Sequence, residues 1–222
     1  MDCRLIPVII NCRDRVTDLT VLVAWLERAG HQRIVLLDNA STWEPLLDYY
    51  AHTPHKVVRL GENLGHTALW VKRLVPDEWF VYTDPDIIPT EHCPPTLVDH
   101  LYAAMERWPD RIKAGPGLKI DDIPECNLTW DVSDACERSY WEPEREIAMG
   151  IFDAAIDTSF ALYRPNSPWA LAPAFRCGKP YVARHMSWYA DTMNPTEEER
   201  YYVAHASAAS TWALYLKERG LA

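Results

Sequence analysis

Apolar and polar residues along the first 90 positions alternate between two periods. Leu5-Ile6-Pro7-Val8-Ile9-Ile10 is a continuous apolar run and predicts a buried strand, followed by the loop Asn11-Cys12-Arg13-Asp14-Arg15. Leu19, Leu22, Val23 and Leu26 then recur at helical spacing, with Thr17 or Asp18 placed to cap the helix and Gly30 to end it. A second strand, Arg33-Ile34-Val35-Leu36-Leu37, runs into the acidic turn Asp38-Asn39-Ala40-Ser41-Thr42. Pro45 opens a helix over Leu46 to Ala51, where a missing N–H is tolerated. Lys56-Val57-Val58-Arg59-Leu60 predicts a third strand, and a helix is expected from Thr67 through Leu74. The fourth strand ends at Thr83 in Glu78-Trp79-Phe80-Val81-Tyr82-Thr83-Asp84-Pro85-Asp86, because Pro85 cannot donate to a ladder.

This alternation of strand, loop and helix calls for an α/β fold: a mostly parallel central sheet flanked by helices. In such sheets ligands sit beyond the carboxyl ends of the strands. The loops starting at Asn11, Asp38, Asn63 and Asp84 would share that rim.

The second half is less regular. A helix is predicted from Pro94-Pro95 to about Trp108, and residues 114–150 read as strand fragments and substrate-facing loops. Ala155 to Arg164 reads as a strand, and Pro180 to Arg184 as a shorter one. Thr196 followed by Glu197, Glu198 and Glu199 marks a helix start, expected to run to Gly220 with Lys217 and Arg219 near its end. No linker or repeat divides the 222 residues, so one domain is expected, with residues 1–90 and 91–222 as its two halves.

Composition narrows the partners. A net charge of −10 argues against a nucleic-acid surface, which needs clustered Lys and Arg. The longest apolar runs are too short to span a bilayer, and no secretory leader is apparent, so a cytoplasmic protein with reduced thiols is expected for the six cysteines. Ten tryptophans and 11 tyrosines exceed what such a core needs; Trp130, Trp141 and Trp188 are candidates for stacking on sugar rings or for core packing.

The acidic pair is the main chemical feature. Asp84 and Asp86, one residue apart at the end of a buried strand, would repel each other unless a cation lies between them, and hard oxygen ligands suit Mg²⁺ or Mn²⁺. A solvated acidic turn is the alternative. Asp157, a carboxylate in an otherwise apolar stretch, is a candidate general base, with Asp153 and Asp191 as competitors; binding an acceptor or anchoring a neighbouring arginine are its other readings.

Three landmarks carry a resemblance over residues 5–90. They are Pro7-Val8-Ile9-Ile10, then Ile34 to Thr42 with its acidic turn, and then Asn63-Leu64-Gly65 followed by Asp84-Pro85-Asp86. In this order they resemble the family 2 glycosyltransferases of the GT-A, Rossmann-like fold. The resemblance implies a nucleotide-diphospho-sugar donor, a UDP-sugar being favoured, and a carbohydrate or other hydroxyl acceptor. It places the base and ribose at Asn11 to Arg13 and at Asp38, which would accept from a uracil N–H or else form an Asx turn. Asn63, Gly65 and Asp84 would also touch the donor. Asp84 and Asp86 would hold the metal, and His185 resembles the late histidine that completes the metal shell in several GT-A enzymes. The first half would bind the nucleotide-sugar; the second would complete the metal site and bind the acceptor.

The carboxyl half lacks the Gly-Gly-Phe-Asp-Glu stretch and the Glu-Asp pair of common family members. A phosphatase using Asp84 as nucleophile and Asp86 as acid would place that aspartate at the first strand rather than the fourth. Two other readings stand beside the metal-dependent glycosyltransferase. One is a nucleotide-sugar-binding protein without transferase activity. The other is a sugar-phosphate nucleotidyltransferase, although the Asn11 to Arg15 loop has none of the glycines that such a phosphate loop uses. Inversion or retention at the anomeric carbon stays open.

Overall fold

The computed structural model describes residues 1–127, 130–206, 217 and 220, with 131–133 as backbone alone. Strands β1 (Val8–Cys12), β2 (Ile34–Asp38), β3 (Lys56–Arg59) and β4 (Phe80–Thr83) stand side by side in the order β3-β2-β1-β4, every pair parallel. The crossovers carry α1 (Thr17–Arg28), α2 (Glu44–His52) and the short α3 (Ala68–Val71). All residues of β1 and β4 are buried, as runs of bulky side chains covered on both faces must be. Successive residues feed opposite faces: Val8 and Ile10 pack with Leu19, Leu22 and Leu26 of α1, whereas Ile9 packs with Ala68 and Leu69 of α3.

The remaining elements are β5 (Ile87–Pro89), α4 (Leu97–Arg107), β6 (Lys113–Leu118), α5 (Asp131–Ser139), β7 (Glu146–Ala148), β8 (Ile151–Asp153), β9 (Ala161–Tyr163), β10 (Ala174–His185) and α6 (Glu197–His205). They extend the same sheet to the order β3-β2-β1-β4-β9-β6-β10-β8-β7, with β5 also paired to β10. β9 lies antiparallel to both β4 and β6, and β6 runs parallel to β10. Hence β1 to β4, β6, β7 and β10 run one way, and β5, β8 and β9 the other. The result is a single α/β sheet of mostly co-directional strands between helices, Rossmann-like in its amino half.

Several expected elements change. The strand foreseen over Ala155 to Arg164 shortens to β9, because Ser159 N–H donates to Asp157 Oδ1 at 3.1 Å and Phe160 adopts a positive φ of 49°. A local Asx turn there takes the place of a ladder. The helix from Thr67 shrinks to α3 after a 3-10 turn, Gly65–Thr67. Within residues 114–150 the chain forms β6, β7 and a full helix, α5.

Neither Thr17 nor Asp18 caps α1. Its N-cap is Val16, and the Glu198 carboxylate from α6 accepts from Val16 N–H at 2.8 Å and Thr17 N–H at 3.2 Å. Thr196 and Glu199 do form a reciprocal capping box on α6. That helix ends at His205, where Ala206 turns extended; the expected continuation with Arg219 lies outside the described residues. All six cysteines are free. Among the described residues, no helix is long and apolar enough to cross a membrane.

Candidate functional site

Strand order reverses beside β1: β2 and β3 lie to one side, β4 to the other. At the carboxyl ends of β1 and β4, the switch point where such sheets bind ligands, lies a cleft of about 350 Å³. Pro85 ends β4, and the chain re-enters the sheet as β5, pairing with β10 so that Ile87 faces His185. This antiparallel return brings Asp86 and His185 together across 99 residues of sequence (185 − 86). On the other side Asp84 N–H donates to the Thr158 carbonyl at 3.0 Å, which pins the 155–160 loop to the acidic pair.

The two carboxylates live in opposite environments. Asp86 is buried; its Oδ2 accepts from Arg15 Nη1 at 3.1 Å and Ser187 Oγ at 2.5 Å, and His185 Nε2 stands 3.4 Å away. Burial raises its pKa, but His185, Arg15 and Ser187 together hold it well below the usual carboxylate range. Asp84 accepts on Oδ2 from the Thr158 hydroxyl. Burial and the neighbouring Asp86 charge push it up to about 7, Thr158 opposing them. One carboxylate is firmly ionised, and the other is poised near neutrality.

The donor set fits a divalent cation that arrives with a phosphate ligand. Asp84 and Asp86 both line the cleft, and no described residue donates to Oδ1 of either. Among the described residues, no three His, Cys, Asp or Glu side chains converge as a ready-made metal site. Mg²⁺ is ordinarily held by one or two carboxylates plus substrate phosphates, so two carboxylates suffice on the protein side. His185 also lines the cleft, with Nε2 3.4 Å from Asp86 Oδ2, and as the neutral imidazole could complete the donor set. Burial lowers its pKa, but Asp86 and, further off, Asp157 and Asp84 raise it overall.

Asp157 lies open to the cleft on the 155–160 loop, where Ser159 donates through both its backbone N–H and its hydroxyl. Loss of solvent around the carboxylate pushes its pKa up; Ser159, Arg176, His185 and Lys113 pull it further down, so it is ionised. The competing carboxylates are elsewhere. Asp153 forms a two-pronged pair with Arg111 at 3.0 and 3.2 Å, and Asp191 accepts from Met193 and Asn194 on an exposed loop.

On the β1–β3 side the polar groups bond one another. Asn39 Nδ2 donates to Asn11 Oδ1 at 2.6 Å and to the Gly65 carbonyl at 3.0 Å, while Asn39 Oδ1 accepts from Leu64 N–H at 3.0 Å. Asn63 Oδ1 accepts from Gly65 N–H at 3.0 Å. Arg13 donates to the carbonyls of Asn39, Ala40 and His205. Asn11, Arg13, Asn63 and Gly65 all line the cleft. Asp38 does not: only 2% exposed, it accepts on Oδ1 from Ser41 N–H at 3.1 Å and Tyr50 O–H at 3.2 Å, forming the Asx turn of β2.

Sequence reasoning passed over Arg15, Ser187, Thr158, Trp169 and Tyr202, which also line the cleft. The Arg13–Arg15 spacing was visible, but Arg15's engagement with Ser187 and with the Tyr202 ring, 4.2 Å from its guanidinium, depends on the tertiary fold. Trp130, Trp141 and Trp188 stay off the cleft wall: Trp188 is buried against Trp130 and His185, and Trp141 packs on Phe152.

No family model matches the chain, and no curated protein does. Among solved structures it is similar to a mycobacterial protein, with a TM-score of 0.47 and 14% identity over 82% of this chain and 67% of that one. It is also similar to 4-diphosphocytidyl-2C-methyl-D-erythritol synthase from Anaerococcus prevotii, with a TM-score of 0.39 and 11% identity over 99% of this chain and 85% of that one. Likeness at this level leaves the function to be argued from the cleft itself.

Proposed function

We propose that this chain is a metal-dependent glycosyltransferase that moves a sugar from a nucleoside-diphosphate donor to a hydroxyl acceptor. The observation that carries the reading is the pair Asp84 and Asp86 at the switch-point rim, each with one oxygen left for a cation, backed by Arg15 and His185. Bound Mn²⁺ or Mg²⁺ would supply Lewis-acid stabilisation of the charge that builds on the departing diphosphate. The chain's own part is electrostatic and positional. Arg15 and Ser187 fix Asp86, Thr158 fixes Asp84, and Asp157, ionised on the same wall, takes the proton from the acceptor hydroxyl. A lowered pKa keeps Asp157 available as a base at neutral pH while weakening its proton affinity.

The GT-A resemblance over residues 5–90 agrees with this reading, but the support it lent to a UDP-sugar through Asp38 falls away with that side chain sealed. The base of the donor is therefore left to titration. A sugar-phosphate nucleotidyltransferase would use the same carboxylates. Against it, the first amides of α1, which a phosphate loop would use, already donate to Glu198.

Calorimetric titration with uridine, guanosine and cytidine diphosphates, with and without Mn²⁺, tests the binding half. Metal-dependent binding of at least one, lost in Asp84→Ala/Asp86→Ala, is expected. Product analysis then tests the chemistry: release of nucleoside diphosphate and a glycoside from a nucleotide-sugar and an acceptor supports transfer, and release of pyrophosphate from a nucleoside triphosphate and a sugar phosphate identifies a nucleotidyltransferase. Binding without turnover over a broad acceptor panel would reduce the chain to a nucleotide-sugar-binding protein.

A further inference from the structure

Lys113 stands on β6, between β9 and β10 in the interior of the sheet, and is fully buried. Its Nζ donates to the Asp157 carbonyl at 3.1 Å and to the Tyr163 hydroxyl at 3.0 Å; among the described residues it has no carboxylate ion-pair partner. A cation whose hydrogen bonds go to a carbonyl and a phenol, with aromatic rings rather than a carboxylate beside it, is a poor filling for a core, where an apolar side chain of the same length would pack without desolvating a charge. Burial accordingly pulls its pKa down to about 7, with Asp157 pulling the other way.

What the ammonium touches leads to the cleft. Tyr163 O–H also reaches the Asp157 carbonyl, at 3.4 Å, and the ring of Trp169, a cleft wall, lies 4.9 Å from Nζ. Two residues earlier in the same loop, Arg176 Nε donates to the Ala155 carbonyl at 2.9 Å while its Nη1 pairs with buried Glu137 at 2.8 Å. Two buried cations thus hold the carbonyls on either side of Ile156, and Asp84 holds the next one along, that of Thr158. Asp157 projects from the span these three anchors define.

We propose that Lys113 is a positioning residue, whose buried side-chain amine sets the peptide of Asp157 so that the carboxylate faces the cleft beside Asp84. Its consequence for transfer rests on the glycosyltransferase reading; its hold on the loop does not. Lys113→Met keeps the stem and deletes the donor. Hydrogen exchange on the ligand-free protein then follows two amides of the anchored loop: Ser159, which donates to Asp157 Oδ1, and Asp84, which donates to the Thr158 carbonyl.

Both are expected to exchange at least about tenfold faster in the variant, while Val81 N–H, bonded to Pro7 in the sheet, keeps its protection. Unchanged exchange at Ser159 and Asp84, or an equal loss at Val81, overturns the proposal. If Lys113→Met does not fold, Tyr163→Phe removes the hydroxyl shared by Lys113 and Asp157, and the same two amides must respond in the same direction. In the transfer assay, Lys113→Met lowers kcat about tenfold or more without moving the donor KM, and has no further effect in an Asp157→Asn background. Additive losses would overturn the route through Asp157. A wild-type protein without transfer would count against the glycosyltransferase reading, leaving hydrogen exchange to decide the role of Lys113.

Discussion

The two walls of the cleft use polar residues in opposite ways. On the β1–β3 side, Asn11, Arg13, Asn39 and Asn63 bond to one another or to nearby backbone, and Asp38, sealed behind that wall, closes its own turn. On the β4–β9–β10 side, charge is retained: Asp84 is crowded toward neutrality, Asp86 is held ionised by Arg15 and His185, and Asp157 faces the cleft over a buried lysine. Satisfied groups stabilise and present a shape. Groups held at unusual protonation states carry out chemistry, and a fold tolerates few of them because each opposes its stability. Substitutions on the first wall should therefore act on stability alone, and those on the second on binding or turnover, with a stability loss as well where a buried ion pair is broken.

The largest effect is expected at Asp86. Asp86→Ala leaves Arg15 and His185 without their carboxylate in a buried setting, which costs about 3–5 kcal/mol by urea unfolding and abolishes metal-dependent diphosphate binding. Asp84→Asn should separate the two properties: it removes a charge that burial and Asp86 both oppose, so the ligand-free protein melts no lower while metal-dependent binding is lost. Next in size is Asp157→Asn, expected to lower transfer kcat by roughly 10²–10⁴-fold with nucleotide affinity unchanged, as the loss of a general base does. A variant with full turnover would remove Asp157 from the reaction.

The first wall predicts the reverse. Asp38→Ala strands Ser41 N–H and Tyr50 O–H, and should lower stability by about 1–3 kcal/mol while nucleoside-diphosphate affinity stays put. A loss of affinity of about tenfold or more would put Asp38 back in the nucleotide site. This residue also marks where the sequence is legible and where it is not. Runs such as Val8-Ile9-Ile10 and Phe80-Val81-Tyr82 admit one reading, a strand covered on both faces, and Pro85 dates the end of β4 to the residue. An aspartate after such a strand can close its own turn or reach a ligand, and only Tyr50, packed from α2, decides which at Asp38.

Asp157 was visible as a carboxylate among apolar residues, but its loop was not, because the Asx turn to Ser159 competes with a ladder that the apolar run alone would favour. Arg15 and Ser187 meet across 172 residues, and Glu198 caps a helix 182 residues before it. Contacts of that range leave no local pattern. The amino half was therefore readable element by element, whereas the carboxyl half yielded residues without their places.

The smallest expected effect tests whether charge on the second wall is held against stability. Lys113 has its pKa lowered from 10.5 to about 7 in the fold, so between those values the unfolded chain binds the extra proton. The lysine's own contribution to stability then rises with pH across that window, by at most about 1.4 kcal/mol per unit, and Lys113→Met removes it from the slope. The window narrows from above. Burial keeps Cys3, Cys12, Cys93 and Cys177 protonated in the fold past their ordinary value of 9.0, while the unfolded chain ionises them, so their contribution falls as pH rises. Urea midpoints of the two proteins, compared between about pH 7 and 8.5, isolate the lysine. Parallel slopes would mean that the ammonium is not desolvated as its surroundings require, and the contrast between the two walls would lose its most deeply buried member.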